Sequence, residues 1–254
     1  KFKISKHQII ETGLDHGTIT VIINHTKVEI TTLRKDILTD GRRAKVEFTS
    51  NWIEDSNRRD FTINSIYLTK KGKIFDPQSG VKDLRNNFVQ FIGEPDKRIK
   101  EDYLRILRFL RFNITYSGYV KKSDYNFVLL NLNGVKSLSK ERILDELFKI
   151  LDNSNFLIVN QNENLKDLFL LIFPEFKNLN RLKNVEHINN IIKIDRNFLL
   201  KILLIDESDN FEYFCHKYPV SKNIKNELIK LSKIYKQQKE NKFFFKKDLK
   251  KNTY

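Results

Sequence analysis

Arg58-Arg59-Asp60-Phe61-Thr62-Ile63-Asn64 sets two adjacent guanidinium groups and a carboxylate directly before a β-branched and aromatic run. Guanidinium forks match the oxygens of a polyphosphate. The carboxylate of Asp60 can accept a sugar hydroxyl, and the Asn64 amide can both donate and accept beside it. Further on, Glu101-Asp102-Tyr103-Leu104-Arg105-Ile106-Leu107-Arg108 gathers acids and arginines at helical spacing. On a helix, Asp102 and Arg105 are three apart and share a face, with Arg108 continuing the line and Arg111 turned away. A carboxylate accepts and a guanidinium donates. Together they complement an exocyclic amine beside a ring-nitrogen acceptor, the pattern of cytosine and adenine but not of uracil or guanine. An ordinary salt bridge on a solvated face satisfies the same spacing.

These residues must be held by elements the sequence also announces. From Gly17 to Leu33 apolar and polar residues alternate around Asn24-His25-Thr26-Lys27, which predicts a β-hairpin. Residues 34–50 are polar and poorly periodic around Asp40-Gly41-Arg42-Arg43, which reads as a mobile loop with a turn at its centre. Ile74-Phe75 and residues 88–92 read as short strands. After Pro95 the period changes. Leu104, Leu107, Phe109 and Leu110 stripe a helix over about 97–114, and Ser139 opens another that buries Ile143, Leu144, Leu147, Phe148 and Leu151. Helices follow over 164–173, 184–193, 196–204 and 221–239. The fold class is α+β, a small sheet-containing part followed by an all-helical part.

Composition narrows the function. The formal net charge is +15, with 31% charged and 40% hydrophobic residues. Such a balance suits a globular chain attracted to a polyanion. Nucleic acid fits better than a membrane surface, because no basic helix has a strong apolar face. Eight lysines and two acids lie between Leu231 and Tyr254, equally readable as an RNA-facing surface or a solvated helix end. A single cysteine, Cys215, excludes an internal disulfide and suits a reducing cytosol. The chain contains no methionine, which leads us to expect a fragment starting inside a longer reading frame.

Taken in order, these motifs resemble the class II tRNA nucleotidyltransferases (CCA-adding enzymes) and the related bacterial poly(A) polymerases. Arg58 to Asn64 matches the family's RRDFTxN motif at every fixed position, and Glu101-Asp102-x-x-Arg105 matches its EDxxR element. Asp76-Pro77-x-x-Gly80 with Asp83-Leu84 resembles the element linking head to neck. Ser139-x-Glu141-Arg142-Ile143 with Glu146-Leu147 resembles the motif bracing the neck helices. Residues 13–21 and 28–34 extend the similarity upstream, and nothing beyond about residue 155 contributes.

The resemblance implies an incomplete nucleotidyltransferase head over residues 1–94, a helical neck over 95–152 that recognises the base, and a helical tRNA-binding body over 153–254. It implies that Arg58, Arg59, Asp60 and Asn64 hold the ribose and triphosphate, with Arg108 assisting. Asp102 and Arg105 would pair with the base, and Asp40, Gly41, Arg42 and Arg43 would centre a flexible loop that helps the pocket pass from CTP to ATP. The implied reaction adds C and A to the 3′ end of tRNA in the cytoplasm, with Mg²⁺ held by an Asp-x-Asp pair that the family places upstream of Lys1. Glu29, in the family's E-x-T-T-x-R strand, stands either as a third carboxylate near the metal or as an ion-pair partner of Arg34. This chain alone is therefore expected to be inactive. A poly(A) polymerase, a CC-only adding enzyme and an inactive RNA-binding module remain alternatives, and the oligomeric state is left open.

Overall fold

A computed structural model of the chain describes residues 8–13, 17–40, 43–116, 120–188 and 194–251. The chain divides into two compact units. One comprises Lys1–Arg85 with Gln90–Asp102, the other Asn86–Val89 with Tyr103–Tyr254. The architecture is α+β, as expected: small antiparallel sheets lead and helices follow.

The first unit begins with a three-stranded antiparallel sheet of β1 (Gln8–Gly13), β2 (Thr18–Ile23) and β3 (Thr26–Thr31). The alternating residues pair as the pattern requires, Val21 opposite Val28 and Ile19 opposite Ile30. Asn24 and His25 take the positive φ angles (47° and 68°) of a tight two-residue turn. Only part of this apolar face is covered. Val21 is buried, whereas Ile9, Ile23, Val28 and Ile30 are exposed.

Within the stretch 34–50 expected as a loop, β4 (Arg34–Asp40) and β5 (Arg43–Phe48) pair as antiparallel strands. Its periodicity is hidden by a register shift between Asp36 and Leu38, where Ile37 is an extra residue. A bulge of this kind flips the alternation halfway along the strand. Asp40 pairs with Arg43 at the far end, while Gly41 and Arg42 lie outside the described residues.

Helix α1 (Trp52–Asn57) follows, capped by the Asn51 side chain, which accepts from Ile53 N at 2.9 Å. A 3-10 turn, Thr62–Ser65, leads into β6 (Tyr67–Leu68), which pairs with β7 (Ile74–Phe75). Helix α2 (Gly80–Arg85) packs against that 3-10 turn. Residues 88–92 do not form the strand expected. One antiparallel bridge joins Phe61 to Phe91, flanked by bonds from Thr62 N to Gln90 O and from Ile92 N to Asp60 O. Their rings lie 4.7 Å apart.

The helix expected over 97–114 is two helices, α3 (Pro95–Glu101) and α4 (Leu104–Tyr116). Asp102 breaks the run with an extended backbone, φ −155° and ψ 107°. Aspartate competes for nearby backbone donors and favours helix ends over interiors, so the acid singled out for its chemistry also interrupts the helix.

In the second unit α4 packs on α6 (Lys140–Leu151) and α7 (Glu163–Ile172). Helix α5 (Lys122–Leu130) and a 3-10 segment, Leu132–Ser137, connect α4 to α6. Beyond α7 come α8 (Leu182–Ile188), α9 (Arg196–Leu204), α10 (Asn210–Lys217) and α11 (Lys222–Lys251). The helices expected over 164–173 and 196–204 match α7 and α9 closely. The 184–193 and 221–239 readings fall on α8 and α11, with residues 189–193 outside the described set. A chain of aromatic rings forms much of this core: Phe169 contacts Phe156, Phe173 and Phe176, and Phe176 reaches Phe214.

Candidate nucleotide-binding site

Helix α1 ends one residue before the arginine pair, and its spacing determines how that pair is held. Asp55 lies three residues before Arg58 and four before Arg59, so a single helical turn points its carboxylate at both guanidinium groups. The Asp55 side chain is fully buried. Its Oδ1 accepts from Arg58 Nε at 2.8 Å, Arg58 Nη2 at 2.6 Å and the Arg34 backbone amide at 3.2 Å. Its Oδ2 accepts from Arg59 Nη2 at 2.9 Å, Arg59 Nε at 3.2 Å and Tyr67 Oη at 2.8 Å. Tyr67 is held at this distance by rings, with Trp52 5.0 Å away and Phe75 6.3 Å away.

Burial alone would raise the Asp55 pKa, but the hydrogen bonds from Tyr67, Arg58, Arg59 and the Arg34 amide outweigh it and bring it down to about 2. Burial and the Asp55 carboxylate together push the Tyr67 phenol up to about 12. Asp55 thus stays ionised under ordinary conditions, with both cations bound to it.

Arg58 also donates from Nε to Arg34 O at 2.9 Å, tying the pair to the start of β4. From the other side Arg98 in α3 donates through Nη2 to the backbone carbonyls of both Arg58 (2.8 Å) and Arg59, and through Nη1 to Glu101. Glu101, the first acid of the downstream motif, therefore braces Arg98. Arg58, Arg98 and Glu101 line a cleft of about 310 Å³ with Lys35, Asp36, Glu54 and Asn57.

Asp60 and Asn64 are brought together. Asp60 Oδ1 accepts from the Phe61 amide and from Asn64 Nδ2, each at 2.9 Å. Thr62 donates to Asp83 Oδ2 at 2.7 Å, and Asp76 caps α2 by accepting from Gly80 N at 2.7 Å and Val81 N at 2.9 Å. A Cβ on Gly80 would lie 2.1 Å from the Thr62 carbonyl oxygen, so a glycine is needed for α2 to seat against the motif. The segment from Asp76 to Leu84 is thus a support for the Arg58–Asn64 motif.

The remaining sequence-selected residues stand as follows. Asp102 closes α3, and Arg105 and Arg108 occupy α4, so the three do not lie on one continuous helix as expected. Within the second unit Arg111 donates from Nε to the buried Glu146 of α6, which Lys149 also approaches at 3.3 Å. This is a brace between α4 and α6 through the Glu146 motif. Ser139 caps α6, accepting from Arg142 N at 3.5 Å. Glu29 lies on β3 opposite Thr20, its side chain exposed, with no ion pair to Arg34 among the described residues. No group of three or more His, Cys, Asp or Glu side chains among the described residues could hold a metal ion.

Sequence reasoning missed Asp55, Arg98 and Tyr67. The D-x-x-R-R spacing was a usable signal for Asp55, given a helix start at Asn51. Nothing in the sequence distinguishes Arg98 from its basic neighbours Lys97 and Lys100.

Comparison with known proteins agrees with these features. Residues 1–90 match the poly A polymerase head domain family. The chain is 47% identical over 154 residues to the mitochondrial CCA tRNA nucleotidyltransferase 1 of Mus musculus, covering 58% of this chain and 35% of that protein. It is 31% identical over 204 residues to a CCA-adding enzyme of Staphylococcus aureus (strain Newman), covering 76% of this chain and 51% of that one. Its fold resembles the Bacillus stearothermophilus CCA-adding enzyme solved in complex with CTP, with a TM-score of 0.62 at 21% identity over 91% of this chain and 57% of that chain. It also resembles a tRNA nucleotidyltransferase solved with a primer tRNA and an incoming ATP analog, with a TM-score of 0.68 at 22% identity over 98% and 72% of the two chains. The chain spans 35% to 51% of the length of these two sequence relatives. On these matches and the motifs they share, residues 1–90 are similar to poly A polymerase head domains, and 58% to 76% of the chain is similar to CCA-adding tRNA nucleotidyltransferases.

Proposed function

We propose that this chain supplies the nucleotide-holding part of a template-independent nucleotidyltransferase that adds C and A to the 3′ end of tRNA from CTP and ATP. The observation that carries the reading is the arginine pair, fixed from below by Asp55 and from behind by Arg98 beside a polar cleft. In this reading Arg58 and Arg59 hold the triphosphate, Asp60 and Asn64 the ribose, and Arg108 assists on the phosphates. Asp102 and Arg105 read the base, and the β4–β5 hairpin around Asp40 to Arg43 adapts the pocket to C or A.

Residues 1–94, 95–152 and 153–254 act as partial head, base-reading neck and tRNA-binding body, and the lysines of α11 meet RNA phosphates. No helix among the described residues is long and apolar enough to cross a membrane. We place the protein in the cytoplasm, although relatives include enzymes named as mitochondrial. Mg²⁺ would stabilise charge on the phosphates. The described carboxylates do not form a site for it, so no step is assigned to Glu29 or any other acid of this chain. What these residues contribute is grip on the triphosphate and selection of the base.

Nucleotide titrations of the chain test this directly. CTP and ATP should bind more tightly than UTP and GTP, and Asp102→Ala should erase that selectivity while leaving a common triphosphate affinity. Equal binding of all four nucleotides by the unsubstituted chain would sink the base-reading role. With the full-length gene product, tRNA transcripts ending before CCA, after C and after CC, given CTP or ATP separately, distinguish CCA addition from CC addition and from a long A tail.

A further inference from the structure

We propose that Asp55 is a positioning residue for triphosphate binding: it locks the two guanidinium groups so that each turns its remaining edge outward. The inference rests on the nucleotide-holding role given above to Arg58 and Arg59.

The geometry is specific. Both arginines give the same two donors, Nε and Nη2, to Asp55, one arginine to each carboxylate oxygen. Neither Nη1 has a hydrogen-bond partner among the described residues. A guanidinium pinned along one side by a carboxylate cannot rotate about its long side chain, and its outer nitrogens then lie in a set plane. Two such groups on consecutive residues, each fixed by one oxygen of the same carboxylate, present their free donors at a constant separation. That suits neighbouring oxygens of a polyphosphate, and preorganisation removes the rotamer entropy otherwise lost on binding.

The surroundings are built to keep the carboxylate still. Its Oδ2 takes the Tyr67 hydroxyl, whose ring rests on Trp52, and its Oδ1 takes the Arg34 amide. Arg98 fixes the backbone of both arginines from the opposite side. The Asp55 side chain has no exposed surface, whereas Arg58 and Arg59 keep 11% and 35% of theirs. The acid is therefore out of reach of a ligand, and the cations are not.

Electrostatics alone and this arrangement predict opposite signs. Removing a negative charge beside two arginines raises the local positive potential, and by Coulomb's law should tighten an anion. If Asp55 acts by holding the arginines, its loss should loosen the anion instead.

Isothermal titration of the chain with CTP and with CMP, for the wild type and Asp55→Asn, separates the cases, with far-UV circular dichroism confirming the fold. We expect Asp55→Asn to weaken CTP about tenfold while CMP stays within about twofold. Unchanged or tighter CTP binding by a folded Asp55→Asn overturns the inference while leaving the nucleotide site standing. So does equal weakening of CTP and CMP, the mark of a merely structural role. A wild-type chain with no preference for CTP over CMP removes the triphosphate role of the arginines, and this inference with it. Should Asp55→Asn fail to fold, Tyr67→Phe decides. It removes one bond to Oδ2 and should weaken CTP about threefold with CMP unaffected, whereas no loss, or equal loss for both, overturns the proposal.

Discussion

The two units of this chain are organised around opposite kinds of centre. The first is arranged about a buried carboxylate, Asp55, that receives hydrogen bonds from two arginines, a tyrosine and a backbone amide. The second is arranged about rings and aliphatic side chains, with Phe156, Phe169, Phe173, Phe176 and Phe214 linked by edge-on contacts. An apolar centre gains its energy from area removed from water and tolerates local rearrangement. A buried ionic centre gains little net energy over an apolar one, but is costly to leave half-satisfied and fixes directions. The first unit is built on direction, and the helical unit on packing.

That contrast can be broken experimentally. Trp52, the one tryptophan, sits beside Tyr67 in the first unit and reports on it by fluorescence, whereas far-UV circular dichroism is dominated by the helices of the second. The largest effect should come from Phe169→Ala. Its fully buried ring touches three others, and the lost burial and cavity should cost about 3–5 kcal/mol. The dichroism midpoint should drop in urea while the Trp52 transition holds. If both move together, the two centres are not energetically separate.

Acid provides the converse. Asp55 has a pKa of about 2 when folded, against an ordinary value of 3.8, so the unfolded chain takes up that proton first as pH falls. The stabilisation, about 2 kcal/mol, is present above about pH 5 and is lost as pH falls through about 4 to 2. Trp52 fluorescence should therefore change at higher pH than the dichroism does, and Asp55→Asn should flatten that limb. The smallest effect belongs to a helix cap. Asn162 accepts from Leu165 N at 3.1 Å at the start of α7, and Asn162→Ala should cost about 1 kcal/mol, read by dichroism alone.

The same division governs what could be read without a structure. Packing leaves a period in the sequence, so α6, α7, α9 and the β2–β3 hairpin were visible from spacing alone. Where one residue shifts the period, as Ile37 does in β4, a hairpin passes for a loop. Where a side chain outcompetes the backbone, as at Asp102, two helices pass for one. The motif residues proposed to bind the nucleotide, Arg58, Arg59, Asp60 and Asn64, stand out in the sequence, and the structure joins Asp60 to Asn64. Their supports do not. Asp55 carries a signal, its D-x-x-R-R spacing, only once a helix start at Asn51 is assumed, and Arg98 acts on backbone carbonyls, which leave no trace in residue identity.

One bond in this network is also a measuring device. The Arg34 amide is the backbone donor on Asp55, sharing Oδ1 with Arg58, and the Arg34 carbonyl accepts from the same guanidinium. Its proton therefore senses the charge and position of a carboxylate that no solvent or ligand touches. In a nitrogen-resolved nuclear magnetic resonance spectrum, the Arg34 signal should shift with the titration of Asp55. It should shift again if an anion draws on the arginines, giving a single-residue readout of their hold on Asp55.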